Sequence, residues 1–221
     1  MRKTKRSLFP VIVAFAMATT FITHQLHAAD NAAEEGARIY AQSCAVCHQA
    51  DAIGKPGFAP SLSNPEFLSV ASDRFILATM LGGRPGTGMP SFAYLGADKG
   101  QAVLAYLRSF ATLPDRSAAV DAEPASKGDV QRGKESFDLI CSTCHGRKGD
   151  GYLAGGTGTA IGRAGTMTPA SDGFLRETIK NGRSNTRMLG FSGPEGMANL
   201  SDQEIDDIIV YLHLLADNEG S

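Results

Sequence analysis

The sequence predicts an all-α protein built from two tandem domains, and three observations carry that prediction. Apolar residues recur at helical spacing in two separated stretches: Val103, Leu104 and Leu107, then Ile205, Ile208, Ile209 and Leu212. Runs alternating apolar and polar residues, the mark of a half-buried strand, are absent. The chain also repeats itself. Gly36 and Tyr40 stand eight and four residues before Cys44, as Gly133 and Phe137 do before Cys141. The segment Gly83-Arg84-Pro85-Gly86-Thr87-Gly88-Met89-Pro90-Ser91-Phe92 has its counterpart in Gly182-Arg183-Ser184-Asn185-Thr186-Arg187-Met188-Leu189-Gly190-Phe191. Self-similarity of this kind marks one structural unit written twice.

The first 28 residues stand apart from both units. Arg2, Lys3, Lys5 and Arg6 form a basic start, Leu8 to Phe21 an apolar run, and Leu26-His27-Ala28 precedes Ala29-Asp30. This is the pattern of a secretory signal peptide cut after Ala28 or Ala29. The apolar run falls short of the roughly 20 residues a spanning helix needs, and no later segment reaches that length. The expectation is therefore an exported, periplasmic protein with no integral membrane span after cleavage. Loss of the four leader cations leaves 17 basic against 23 acidic residues. Such a surface has no basic patch to neutralise phosphates, which argues against a nucleic-acid partner.

The remaining elements follow in chain order. Helices are expected at Glu34–Gln42 and Val130–Leu139, each entering a cysteine motif. Gly36 and Gly133 within them serve either close helix approach or helix starts. Apolar segments follow at Phe75-Ile76-Leu77 and at Phe174-Leu175 with Ile179. Each half closes on a helix with a Tyr-Leu pair, Tyr106-Leu107 and Tyr211-Leu212, and Ser201-Asp202-Gln203-Glu204 is a capping box that starts the second. Residues 111–126 hold Pro114, Pro124 and five alanines without apolar periodicity and read as a linker. The domain boundaries so drawn are 1–28 for the leader, 30–112 for the first domain, 113–127 for the linker and 128–217 for the second domain.

The chemistry lies in two Cys-x-x-Cys-His motifs, Cys44-Ala45-Val46-Cys47-His48 and Cys141-Ser142-Thr143-Cys144-His145. This is the attachment motif of c-type haem. Two thiols three residues apart share one helical turn and can meet the two vinyl groups of one porphyrin, and the next residue offers an imidazole to the iron. These are the only 4 cysteines in the chain. Zinc would call for a closer spacing of the two pairs. A redox disulfide is the other competitor. Neither explains a His after both second cysteines, nor a Met placed alike in both repeats. After leader cleavage only His48, His145 and His213 remain, so at most one iron could take two histidines. Methionine is the natural remaining sixth ligand.

From about residue 32 to 215 the chain resembles tandem class I cytochrome c domains, and so the dihaem cytochromes c. The resemblance implies two covalent haem c groups, each wedged between terminal helices, on Cys44 and Cys47 and on Cys141 and Cys144. His48 and His145 would bind one face of each iron, and Met89 and Met188 the other, with Met197 as the alternative to Met188. Met80 and Met167 read as core residues, and His213 as a surface or packing residue. The family's His-orienting proline carbonyl is matched by Pro60-Ser61-Leu62. The second repeat lacks a proline near Ala160-Ile161, and Leu189 stands where the first repeat has Pro90. Arg84 and Arg183, at equivalent positions, are candidates to pair with haem propionates or to face solvent.

His/Met ligation leaves no open iron site, so the expected function is electron transfer and not catalysis. Redox protein partners are expected: a periplasmic dehydrogenase, on which the chain could dock as a subunit, a quinol-oxidising complex, or a terminal oxidase or reductase. The alternative is a dihaem redox enzyme, a peroxidase or small-anion oxidase, with one open or displaceable site. Amino-terminal sequencing of the exported protein is expected to begin at Ala29 or Asp30, and a mature protein starting at Met1 would exclude the cleaved-leader reading.

Overall fold

A computed structural model describes residues 31–219. The leader, residues 1–28, lies outside the described residues. Among those described there is no strand, only the isolated bridges Lys55 to Ala59 and Gly182 to Leu189. No helix among them is long and apolar enough to cross a membrane.

The first half runs through α1 (31–43), the motif turn α2 (Ala45–His48), α3 (Pro65–Val70), α4 (Asp73–Gly82) and α5 (Gly96–Arg108). A connecting helix α6 (Ser117–Asp121) leads to the second half, α7 (Val130–Ser136), the motif turn α8 (Ser142–His145), α9 (Ala164–Met167), α10 (Asp172–Asn181) and α11 (Asp202–Asp217). The helix starts are written in the sequence. Ser72 and Ser171 accept from the backbone N–H of Phe75 and Phe174 at 3.3 and 3.2 Å, so α4 and α10 carry the same cap in both repeats. The capping box at Ser201 and Glu204 closes as expected. Each cap contributes about 1 kcal/mol. The second opening helix ends earlier than its expected Leu139. At Ser136 it passes into a π-helical turn, Phe137–Cys141, where Ser142 Oγ donates back to the Asp138 carbonyl at 2.7 Å.

Opening and closing helices cross at the two repeat glycines. A Cβ on Gly36 would overlap the Ala102 carbonyl of α5, and one on Gly133 the Asp207 carbonyl of α11. Close approach, and not helix initiation, is therefore what these glycines provide. Beside each crossing an aromatic pair closes the gap, Tyr40 with Tyr106 at 5.2 Å and Phe137 with Tyr211 at 5.4 Å between ring centroids.

The segment expected to be a linker joins the halves, but not as the loose tether its composition suggests. Val120 of α6 is buried, and its carbonyl sits where a Cβ on Gly173 of α10 would be. Arg116 N–H donates to the Ser69 carbonyl at 2.8 Å, and Ser69 Oγ to the Pro114 carbonyl at 2.7 Å. Further on, the Ser126 N–H donates to Asp172 at 2.7 Å, and Arg176 reaches Glu123, Ser126 and Asp206. A short chain with few apolar residues is thus fixed by polar contacts that leave no periodicity to read. The halves also share one core. Phe67 and Phe75 of the first meet Phe174 of the second at 6.3 and 4.6 Å.

The α7–α11 crossing has one buried charge. Asp207 is 1% exposed, and accepts from Arg132 at 2.7 Å, from the Asp129 N–H at 2.7 Å and from Gln203 at 3.0 Å. The Arg132 hydrogen bond, with the others and against the opposing effect of burial, holds its carboxyl below the usual carboxylate range. A depressed folded pKa contributes stability that is present above the unfolded pKa and lost as pH falls through the folded one. Asp207→Asn is therefore expected to lower stability at pH 7 by about 1–3 kcal/mol. Thermal unfolding of the haem-loaded protein should show wild-type and variant curves converging as pH falls below the carboxylate range. A constant offset at every pH would contradict the role given to Asp207.

Candidate haem centres

Both cysteine motifs form a single helical turn that ends on a residue with positive φ, Gln49 at 65° and Gly146 at 76°. The chain then turns away and returns a carbonyl to the imidazole. His48 Nδ1 lies 2.9 Å from the Pro60 carbonyl oxygen, and His145 Nδ1 lies 2.7 Å from that of Thr159. A carbonyl only accepts, so each Nδ1 carries the proton and each Nε2 keeps its lone pair for a metal. Burial, opposed by that hydrogen bond and assisted by Arg84 or Arg183, pushes both imidazoles below their ordinary range. Both are thus neutral, as iron ligation requires.

The missing second proline therefore removes nothing. Thr159 delivers the carbonyl that Pro60 delivers in the first half, because Gly149, Gly151, Gly156 and Gly158 let the loop fold tightly under His145. A Cβ on Gly158 would stand 2.6 Å from the imidazole ring, and those on the others would meet backbone. Close approach explains Gly156 and Gly158 in the Gly-rich stretch, whereas Gly155 has open space around it and takes a positive φ of 75°.

The four thiols are unpaired. Burial, reinforced by Cys47 or Cys144, pushes Cys44 up to about 11 and Cys141 up to about 12. Among the described residues no group of three or more His, Cys, Asp or Glu side chains is placed to hold a metal ion.

Met89 and Met188 occupy the same loop. Arg84 N–H donates to the Met89 carbonyl at 3.0 Å, and Arg183 N–H to the Met188 carbonyl at 2.7 Å. Thr87 Oγ1 donates to the Arg84 carbonyl at 2.7 Å and accepts from the Met89 N–H at 3.2 Å. Thr186 repeats both contacts at 2.8 and 3.0 Å. Asn185 takes the positive φ, 56°, that Gly86 takes at 70°. The loop is thus set by Arg-x-x-Thr-x-Met and survives the exchange of Pro90 for Leu189. The paired threonines stood in register in the two repeats; that register was the signal for their role.

Among the other candidates, Met188 packs against the core, whereas Met197 is 64% exposed. Met80 and Met167 are core residues, as expected. His213 Nε2 is engaged by Asp172 at 2.7 Å.

Each loop is also held by the opposite half. The Ser184 carbonyl accepts from Asn64 Nδ2 at 3.0 Å, and Ser184 Oγ donates to Glu66 at 2.9 Å. Arg84 and Pro85 lie against Gly165 of α9, where a Cβ would come within 3.0 Å. The two arginines are the least satisfied groups here. Burial pushes each down to about 10, with Arg84 adding like-charge repulsion at Arg183 and Tyr152 opposing the fall at both. Arg84 Nε is buried with no partner among the described residues. A cation left so is completed by an anion. The carboxylates of a porphyrin supply one, and the residues present fit that group.

Thr186→Val deletes the donor and acceptor that shape the second loop. The expected loss is about 1–2 kcal/mol in denaturant unfolding, with the haem content of the purified protein unchanged.

The comparisons with known proteins agree with this geometry. Residues 31–107 match the family model for cytochrome c oxidase, cbb3-type, subunit III, and residues 130–216 match that for cytochrome c. Similar curated proteins include the cbb3-type cytochrome c oxidase subunit CcoP of Rubrivivax gelatinosus, 30% identical over 82% of this chain and 54% of that protein. CcoP of Azospirillum sp. (strain B510) is 28% identical over 81% and 61%. Cytochrome c4 of Thiocapsa roseopersicina is 32% identical over 52% and 60%. The chain spans 54% to 61% of the length of these relatives. A chain of the reducing HAO-like protein complex of Kuenenia stuttgartiensis shares the fold, with TM-score 0.51 at 21% identity over 83% of this chain and 96% of that one. Each half being a cytochrome c-type domain, the chain binds two haem c groups covalently and belongs to the dihaem cytochromes c.

Proposed function

We propose that this chain is a periplasmic electron carrier in which both irons are His/Met-ligated, His48 with Met89 and His145 with Met188. Cys44 and Cys47 hold the first haem and Cys141 and Cys144 the second. The observation that carries this reading is the identical Arg-x-x-Thr-x-Met loop in both halves. Haem iron with such ligands changes charge by one electron and keeps no open position for substrate. The chain's own residues do the rest. Pro60 and Thr159 orient the imidazoles, Thr87 and Thr186 fix the methionine loops, and Arg84 and Arg183 neutralise the carboxylates. The enzyme alternative drew on the imperfect look of the second loop, and that loop has the same hydrogen-bonded frame as the first.

The expected partner is a terminal oxidase. The names of the CcoP relatives support this, as those proteins are subunits of cbb3-type oxidases. The acidic composition left after residue 28 and the signal-peptide pattern of residues 1–28 support a soluble or docked carrier outside the cytoplasm. The functional unit is then a pair of covalent haems, one in each of the two halves that α6 connects.

Met188→Ala is the direct test of the second centre. In the purified dihaem protein it is expected to lower one of the two midpoint potentials and to remove about half of the absorption that reports methionine–iron bonds, while Met197→Ala leaves both unchanged. The reverse result would move the ligand to Met197. A high-spin ferric signal at one haem of the wild-type protein would displace the carrier reading in favour of an enzyme.

A further inference from the structure

Arg183 is gripped by aromatic rings from both halves. Its guanidinium carbon lies 5.0 Å from the ring centroid of Phe67 and 5.6 Å from that of Phe174. Phe67 belongs to α3 of the first half and Phe174 to α10 of the second. Both rings are buried, so the attraction between cation and ring face acts where water is scarce. The guanidinium is otherwise weakly held. Its one side-chain hydrogen bond among the described residues is a 3.5 Å contact to Thr178. The residue still belongs to the second centre, since its backbone N–H anchors the Met188 carbonyl at 2.7 Å. Glu66, the residue before Phe67, also receives the Ser184 hydroxyl, so α3 holds this loop at two adjacent points.

We propose that Phe67 is a positioning residue for the second haem: by seating Arg183 against that haem's carboxylates, it lets the first half set the reduction potential of the second. A fixed cation offsets carboxylate charge near the iron and so favours the reduced state. Loosening the cation restores the influence of the carboxylates and lowers the potential. The repeat does not supply this contact twice. Among the described residues the guanidinium of Arg84 is not placed over a ring of the second half, so the control runs from the first half to the second. The inference rests on the two-haem reading above.

The test is spectroelectrochemical titration of the full haem-loaded chain. Arg183→Gln is expected to lower one midpoint by on the order of tenfold in the reduction equilibrium, or about 59 mV for one electron. Phe67→Leu should lower the same midpoint by less, and Phe67→Tyr, which keeps a ring, should restore it. The double variant Phe67→Leu with Arg183→Gln should fall no lower than Arg183→Gln alone. Phe75→Leu is the control. Phe75 packs on Phe174 in the same cluster, but among the described residues Arg183 lies over Phe67 and Phe174 and not over Phe75, so this variant should lower thermal stability without moving that midpoint. Equal shifts in the Phe67 and Phe75 variants, or additive shifts in the double variant, would overturn the positioning role. One haem per wild-type chain would instead overturn the two-haem reading itself.

Discussion

An imidazole binds iron well only when its second nitrogen is tied down, because a free ring rotates and can present either tautomer. In both halves of this protein a backbone carbonyl accepts the Nδ1 proton, at 2.9 Å from Pro60 and 2.7 Å from Thr159. Much of each half is arranged to bring that carbonyl back. The motif turn must end sharply, which Gln49 and Gly146 do with positive φ. The following loop must then run under the ring, through Pro60 in one half and through glycines in the other. The crossing of opening and closing helices, at Gly36 and Gly133, fixes the turn from which the imidazole projects.

The same constraint explains why the two halves are fused rather than strung together. A module of this size with a cofactor at its centre has little apolar surface left for a core of its own. Here Phe67, Phe75 and Phe174 make a common core across the halves, and each methionine loop leans on a helix of the other half. The connecting segment is drawn into the same contact through Val120 and the Arg176 network. Structural integrity of one centre therefore depends on packing in the other.

Charge is distributed with the same economy. Asp207 is buried but has Arg132, Gln203 and a backbone N–H to satisfy it. Arg84 and Arg183 are buried with little compensation, only the Glu66 charge acting on Arg183, which is unfavourable for the polypeptide alone and favourable once carboxylates lie beside them. The cationic side of each centre thus depends on the cofactor.

The sequence by itself determined the helical class, the twofold repeat, the capping residues and the cysteine and histidine motifs, because each is set by neighbours a few residues apart. It also placed Met89 and Met188 in matching registers, although Pro90 and Leu189 made the two loops look unequal. Only the tertiary structure decided that they share one frame, because Thr87, Thr186 and Asn185 act through hydrogen bonds and φ values, not through pattern. It likewise decided that Thr159 replaces a proline, since any residue can offer a carbonyl, and that residues 113–127 are clamped. The contact of Phe67 with Arg183 was out of reach of any local reading, because the two residues stand in different repeats and meet only when the halves pack.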